Sequence, residues 1–218
     1  MTQAMTSIER RKASSSPGGS TPARPGADGI MAASLQTFYE IGYGGATVRT
    51  IASRANVTIA ALYYHFPSKH AILVTIMEDV MDTVLANAEA AMVSSETDTV
   101  DQFRALVGAH VRYHTDHPAE AFVSNSELRS LEGPSRGQIL ALRDRYEAVF
   151  EDVIARGVDE GVFHVEDPKQ AARAVLAMCT AISSWFQTSG PLSAETVQQQ
   201  FVDLSLNTVG HPTEGRST

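Results

Sequence analysis

The sequence holds one cysteine, Cys179, so it can build no intramolecular disulfide framework and suits a reducing compartment. No apolar run approaches the roughly 20 residues that a membrane-spanning helix needs. The N-terminal stretch is rich in Ser, Pro and Gly and lacks an apolar signal core, which argues against secretion. These absences predict a cytoplasmic protein with no membrane partner. Catalytic signatures are missing too. There is no G-x-S-x-G turn, no phosphate loop and no G-x-G-x-x-G after a strand, so no enzyme and no cofactor are expected. No period-two alternation marks a strand, and no segment repeats.

Positive charge is scarce as well: the net charge is −8. Its distribution matters more than its sum. Residues 1–70 carry seven Lys and Arg against three acids, whereas residues 71–218 carry ten against 22. The cationic end could neutralise phosphates, and the acidic remainder would repel a polyanion and favour one orientation of approach.

What is present at that cationic end is a run from Thr47 to Lys69 that reads as two short helices joined by a tight corner. Ile51, Ala52 and Ala55 fall on one face of the first helix, and Leu62 and Phe66 on the inward face of the second. Asn56 sits at the corner and tolerates a left-handed backbone better than most residues. Thr47, Thr58 and Ser68 each stand where a side-chain oxygen can cap a helix. This is the geometry that lays a helix in the DNA major groove. Thr58, Ile59, Ala60 and Tyr63 fall on the outer side or at the start of the second helix. Tyr64, His65 and Lys69 follow, and Arg49 adds charge beside Thr47. Small and hydroxyl-bearing residues at a helix start reach base edges, and Ile59 or Ala60 can meet a thymine methyl. Tyr, His, Lys and Thr suit phosphates, which fix register. The competing reading is that Tyr63, Tyr64 and Phe66 pack a small helical domain. It fits Phe66, but three large polar-tipped residues in a row cannot all face one core.

The run TVRTIASRANVTIAALYYHFPSKHAIL, preceded by FYEIGYGGAT, resembles the DNA-binding region of the tetracycline-repressor (TetR) family of bacterial regulators. The Leu-Tyr-Tyr-His-Phe-x-Ser-Lys ending carries most of the specificity, and the motif covers roughly residues 28–75. Two positions depart from the family pattern: Asn56 and Ala60 stand where Gly is usual or frequent. The resemblance implies an all-α protein of about nine helices, with an N-terminal three-helix helix-turn-helix domain and a C-terminal helical bundle for ligand and dimer contacts.

The expected organisation is a disordered leader over 1–26, a DNA-binding domain over 27–72, a ligand-binding and dimerisation domain over 73–210 and a tail over 211–218. In the leader, Arg10-Arg11-Lys12 reads as a solvated segment or as a minor-groove arm. Helices are expected near 28–41, 69–93, 98–115, 118–131, 135–160, 168–188 and 193–208, besides the two short ones. Gly42, Gly44 and Gly45 end the first, and Pro118, Pro134, Pro168 and Pro191 punctuate the rest. The last two helices are the expected dimer surface. Ala171, Ala172, Ala174, Ala177 and Ala181 keep one slim, with Val175, Met178 and Ile182 adding bulk. Val197, Phe201, Leu204 and Leu206 serve the other. A dimer would read a near-palindromic double-stranded operator.

An effector pocket should lie between bundle helices. Its expected walls are Phe103, Val107, Tyr113, Phe122, Tyr146, Phe150, Trp185 and Phe186, each of which could equally be plain core. Trp185-Phe186 followed by Gly190-Pro191-Leu192-Ser193 resembles the tail of a TetR branch that senses acyl-CoA thioesters. Arg129, Arg136, Arg143 and Arg145 could serve a CoA headgroup. The alternative is that they pair with Glu127, Glu132, Asp144 and Glu147 as surface charges. His110, His114 and His117 fall near one helical face, a spacing that can hold zinc, nickel or copper. The competing reading is a solvated helix end, favourable to cationic His, and no metal is expected. Cys179, beside Met178 in an apolar helix, reads as an inert thiol. The functional expectation is a ligand-responsive repressor. The alternatives are a metal-responsive regulator of the same fold and a helical interaction protein without DNA binding.

Overall fold

Hydroxyl caps fix where the N-terminal helices begin. The Thr47 hydroxyl accepts from the Thr50 N–H at 3.1 Å and Thr58 from the Ala61 N–H at 3.1 Å. Ser68 does the same for the Ala71 N–H at 3.0 Å. In this computed structural model, which describes residues 26–95 and 98–211, those caps open α2 (Val48–Arg54), α3 (Ile59–His65) and α4 (Lys69–Ser94). Ahead of them lies α1 (Ala27–Gly45), whose regular helix breaks at Gly42, where φ is 72°. Asn56 turns the corner between α2 and α3 with φ 54°, the left-handed conformation its side chain tolerates. The basic leader segment Arg10-Arg11-Lys12 lies outside the described residues.

The remaining helices are α5 (Thr99–Asp116), α6 (Pro118–Ser126), α7 (Gly133–Asp159), α8 (Pro168–Thr180) and α9 (Ala194–Thr208). Asp98, Asp167 and Ser193 cap α5, α8 and α9 through their side chains. Nine α-helices and no strand occur among the described residues, as expected. Two boundaries differ. The segment expected to run as helix to 131 ends at Ser126 and continues as a 3₁₀ turn over Leu128–Ser130. The one expected to reach 188 leaves the α conformation after Thr180 for a 3₁₀ turn over Ala181–Ser184. There the Ser183 and Ser184 hydroxyls bond the Thr180 and Ala181 carbonyls, taking the acceptors that a further α turn would use.

Two apolar cores result, and α4 runs through both. Ile72, Leu73, Ile76 and Met77 pack with Ile30, Phe38, Ile51 and Leu62 of the N-terminal helices. Val80, Val84 and Leu85 join Phe103, Val107, Phe150 and Val175 in the larger core. Val123, Leu131 and Ile139, from α6, its exit and α7, complete the smaller core. The C-terminal bundle thus supplies part of the interior beneath the three N-terminal helices.

The expected dimer surface divides. Ala171, Ala172, Val175, Ile182, Val197 and Leu206 are buried within the subunit and close its own core. Ala174 and Ala177 of α8 and Ala181 of the 3₁₀ turn after it are exposed, with Met178 and Phe201 half-buried and Leu204 exposed. Cys179 is buried, with its sulfur 3.8 Å from the Ser205 hydroxyl, and burial pushes its pKa up to about 12.

Candidate DNA-reading surface and effector cavity

Helix α3 buries only Leu62 completely and turns its other side outward. Thr58, Ile59, Ala60, Tyr63 and Tyr64 are exposed, with Tyr64 at 81% and Tyr63 at 50%. Thr47 and Arg49 are exposed on the adjoining edge. Most of the expected reading surface is thus open to a duplex. Arg54 lies next to it and pairs with Glu40 at 2.6 Å.

Two residues of the set sit differently. The His65 ring is half-buried against the start of α1, where a Cβ on Gly26 would lie 3.3 Å from its Nε2. The Lys69 ammonium donates to the Tyr43 carbonyl at 2.6 Å and the Ala46 carbonyl at 2.8 Å, and lies 4.1 Å from the Tyr43 ring centroid. It ties the end of α1 to the start of α4. Burial lowers its pKa, and the nearby Glu127 charge opposes that.

The same corner is held from the other side. The Tyr43 N–H donates to Glu127 Oε1 at 3.0 Å, and the Ser130 hydroxyl donates to Oε2 at 2.7 Å. Glu127 follows the last residue of α6, so this carboxylate latches the bundle to the end of α1. Phe122 of α6 meets Tyr39 of α1 edge-on at 5.4 Å. Nothing in the sequence signalled an ion–amide contact across 84 residues.

A cavity of about 290 Å³ opens between α4, α5, α6, α7 and α8. Its apolar wall includes Val80, Met81, Val84, Ala121 and Leu176; its polar side includes His110, His114, Asn125, Arg143, Tyr146 and Thr180. Of the eight expected wall residues, only Tyr113 and Tyr146 line it. Phe103, Val107 and Phe150 are fully buried core, and Phe186 is almost so. Phe122 faces α1, and Trp185 is 45% exposed and stacks on Phe201. Bulky side chains fill space, so most of the aromatic candidates pack elsewhere. The void lies where Ala121, Ser124, Ala177 and Thr180 are small.

The polar side is organised. His110 Nδ1 lies 3.0 Å from the Tyr146 hydroxyl, and His114 Nδ1 donates to the His110 carbonyl at 2.9 Å. That bond leaves Nε2 of neutral His114 as an acceptor. Burial drives the His110 pKa well down, with His114 adding to the shift and a hydrogen bond to the Leu176 backbone opposing it. Burial also lowers that of His114. Both are neutral at pH 7. His117 is half-exposed, stacks on Tyr113 at 4.9 Å and lies 3.8 Å from a Glu120 oxygen. The three histidines do not converge, and no cluster among the described residues groups three metal-capable side chains.

Of the four arginines weighed for a CoA headgroup, Arg145 pairs with Glu89 at 3.2 Å. Arg143 is no surface charge. It reaches under α6, donating from Nη2 to the Ser124 carbonyl at 2.8 Å and to Asn125 Oδ1 at 3.1 Å. Glu147, one of its expected partners, pairs with Arg173 at 2.9 Å.

An exposed, capped helix α3 on a helical bundle with a cavity between its helices defines a helix-turn-helix regulator. Two family models agree with that geometry. The one described as bacterial regulatory proteins, tetR family, matches residues 30–76, and the tetracyclin repressor-like C-terminal domain matches residues 96–209. The chain belongs to the TetR family of transcriptional regulators. It is 26% identical over 171 residues to the transcriptional repressor KstR2 of Mycobacterium tuberculosis H37Rv, covering 78% of this chain and 85% of that one. A TetR-family regulatory protein from Rhodococcus RHA1 superposes with a TM-score of 0.81 at 30% identity, over 88% of this chain and all of that one. AibR, solved with isovaleryl coenzyme A and operator DNA, superposes with a TM-score of 0.76 at 24% identity, over 82% of this chain and 97% of that one. At that identity the likeness to AibR is one of fold. No helix among the described residues is long and apolar enough to cross a membrane.

Proposed function

We propose that this regulator is a repressor that binds a palindromic operator as a homodimer and is released by a small hydrophobic or acyl-CoA-type effector. The observation that carries the reading is the physical link between cavity and reading head. The cavity wall includes Val80, Met81 and Val84 of α4, and the same helix begins at Lys69 beside α3. Its wall also includes Ser124 and Asn125 of α6, two or three residues before the Glu127 latch. An effector acts only through its different affinity for the two arrangements of these helices. Tilting of α4 is one route for the change, and α6 is a second.

The exposed Ala174, Ala177 and Ala181, with Met178, Phe201 and Leu204, are the face offered to a second copy. Small residues let helices approach closely, and a closed two-fold contact would space the two reading helices about one DNA turn apart. The repressor KstR2 and the acyl-CoA complex of AibR favour repression and an acyl-CoA-type effector. A wider groove of about 550 Å³ between α4 and α5 carries Arg104 and Arg112 and shares Tyr113 with the inner cavity, so a nucleotide headgroup could lie there. A DNA partner in turn implies a cytoplasmic protein. Thr47, Arg49, Thr58, Ile59, Ala60, Tyr63 and Tyr64 form the reading face, with His65 and Lys69 as its support.

Sedimentation and a mobility-shift assay test this reading together. The expected result is a dimer that shifts a selected duplex and loses it when an effector is added. A monomer that shifts no duplex from a random pool contradicts it.

A further inference from the structure

The inner cavity contains a cation that no anion binds: the one carboxylate in its lining, Glu147, is held by Arg173 at 2.9 Å. Arg143 is half-buried, burial lowers its pKa, and no carboxylate among the described residues pairs with it. Its Nε is buried with no hydrogen-bond partner. Only Nη2 is engaged, and what it meets is neutral: the Ser124 carbonyl, the Ser124 hydroxyl at 3.4 Å and the Asn125 amide oxygen. A buried charge with no counter-charge is costly, so such a site favours a ligand that supplies one. A guanidinium has a fork that matches a carboxylate on two parallel N–H bonds. The neighbouring histidines are neutral, so they present no competing charge, and His114 Nε2 can accept a hydrogen bond from a ligand hydroxyl. The same cavity is lined by Val80, Met81, Val84 and Leu176. The volume, about 290 Å³, is at the small end for ligand sites and too small to enclose a whole coenzyme A.

We infer that the effector is a small amphipathic free acid, whose carboxylate binds Arg143 and whose apolar body lies against α4. This deepens the ligand-released reading above and rests on it. It also names how binding is felt. Arg143 now holds carbonyl and amide oxygens at the C-terminal turn of α6. A carboxylate competes with those oxygens for the same guanidinium. Capture therefore withdraws a cap from α6 just before Glu127, whose carboxylate holds the Tyr43 N–H at the edge of the DNA-binding domain. The guanidinium is the two-position element: on α6 without effector, on the carboxylate with it.

The test uses the full chain and matched probes: butanoate through octanoate and cyclohexanecarboxylate, each beside its primary amide and its CoA thioester. Binding is read by calorimetry and by thermal shift, and folding of every variant by circular dichroism. For the best-fitting acid, the carboxylate should bind at least about tenfold more tightly than its amide. That preference should fall to about one in Arg143→Gln, whereas Arg143→Lys keeps the charge without the fork and retains a part of it. Operator binding is measured in parallel on a duplex selected from a random pool. The acid should weaken it in the wild type and leave Arg143→Gln unchanged. The inference is overturned if no acid in the series outbinds its amide, or if thioesters bind best and Arg143→Gln is indifferent. In either case intact operator binding by the ligand-free protein leaves the regulator reading standing, and its loss condemns that reading alone.

Discussion

Replacing Glu127 by Ala separates two ideas that the fold joins: that α6 merely packs on α1, and that it transmits. The side chain accepts the Tyr43 N–H at 3.0 Å and the Ser130 hydroxyl at 2.7 Å, and its charge faces the Lys69 ammonium. Hydrogen bonds to a charged group contribute about 1.5–3 kcal/mol each when well shielded. Tyr43 and Ser130 are only half-buried, so water can replace part of the loss. A destabilisation of about 1–2 kcal/mol follows, which for a chain of this size lowers Tm by several degrees, on the order of 2–4 °C per kcal/mol. The functional consequence is sharper than the stability one. Without the latch the reading head is freer to adopt orientations that do not fit the operator. Affinity should fall by up to about tenfold, since 1.4 kcal/mol corresponds to one decade. The response to effector should shrink along with it. Glu127→Gln keeps an acceptor oxygen but not the charge, and should lie between wild type and Ala. The assay is fluorescence anisotropy on a selected duplex at fixed salt, with and without effector, beside a thermal melt. A variant with the lower Tm but unchanged affinity and unchanged release would refute the reasoning and leave α4 as the only route.

Other perturbations bear on separate parts of the account. Thr58→Ala removes the oxygen that accepts the Ala61 N–H and should cost about 1 kcal/mol locally, fraying α3 and weakening operator binding, with Thr58→Ser restoring both in melts and anisotropy. Lys69→Met loses two carbonyl contacts and should lower Tm, whereas Arg49→Ala touches an exposed side chain and should leave Tm within the error of a melt while reducing the salt dependence of DNA binding. Stability should fall as pH drops below about 6.5, the ordinary imidazole value. Burial depresses the folded pKa of His110 and His114, so the unfolded chain takes up protons that the native one refuses. The loss continues toward the folded values. His110→Gln should flatten the profile of Tm between pH 7 and pH 5, and an equally steep profile in that variant would place the effect elsewhere. Gly157→Ala drives a Cβ into the Phe163 ring and should destabilise by about 1–3 kcal/mol in a denaturant titration.

Local chemistry was readable from the sequence, and distant contacts were not. Thr47, Thr58 and Ser68 cap the helices they were expected to cap, Asn56 takes the left-handed corner, and α1 breaks at Gly42. Each depends on residues within four positions. The outward side of α3 followed from its period, since burying Leu62 leaves Ile59, Tyr63 and Tyr64 exposed. His65 and Lys69 could not be placed that way, because what covers them comes from α1. The lining of this cavity was not legible for a related reason. A sequence shows which side chains are large and gives no sign of where none is. Arg143 carried no mark distinguishing it from Arg145 two residues on. One reaches under α6 and the other pairs with Glu89.

The most direct measurement is the affinity of the ligand-free chain for its selected duplex across a salt series, wild type against Tyr64→Ala. Tyr64 is 81% exposed, so its loss should leave Tm unchanged. Binding should weaken steeply as salt rises, with log K falling by about 0.9 per phosphate contact for each unit of log salt. Tyr64→Ala should bind several-fold more weakly at every salt. Binding insensitive to salt, or a Tyr64→Ala variant that holds the duplex as firmly as wild type, would contradict the DNA-binding reading.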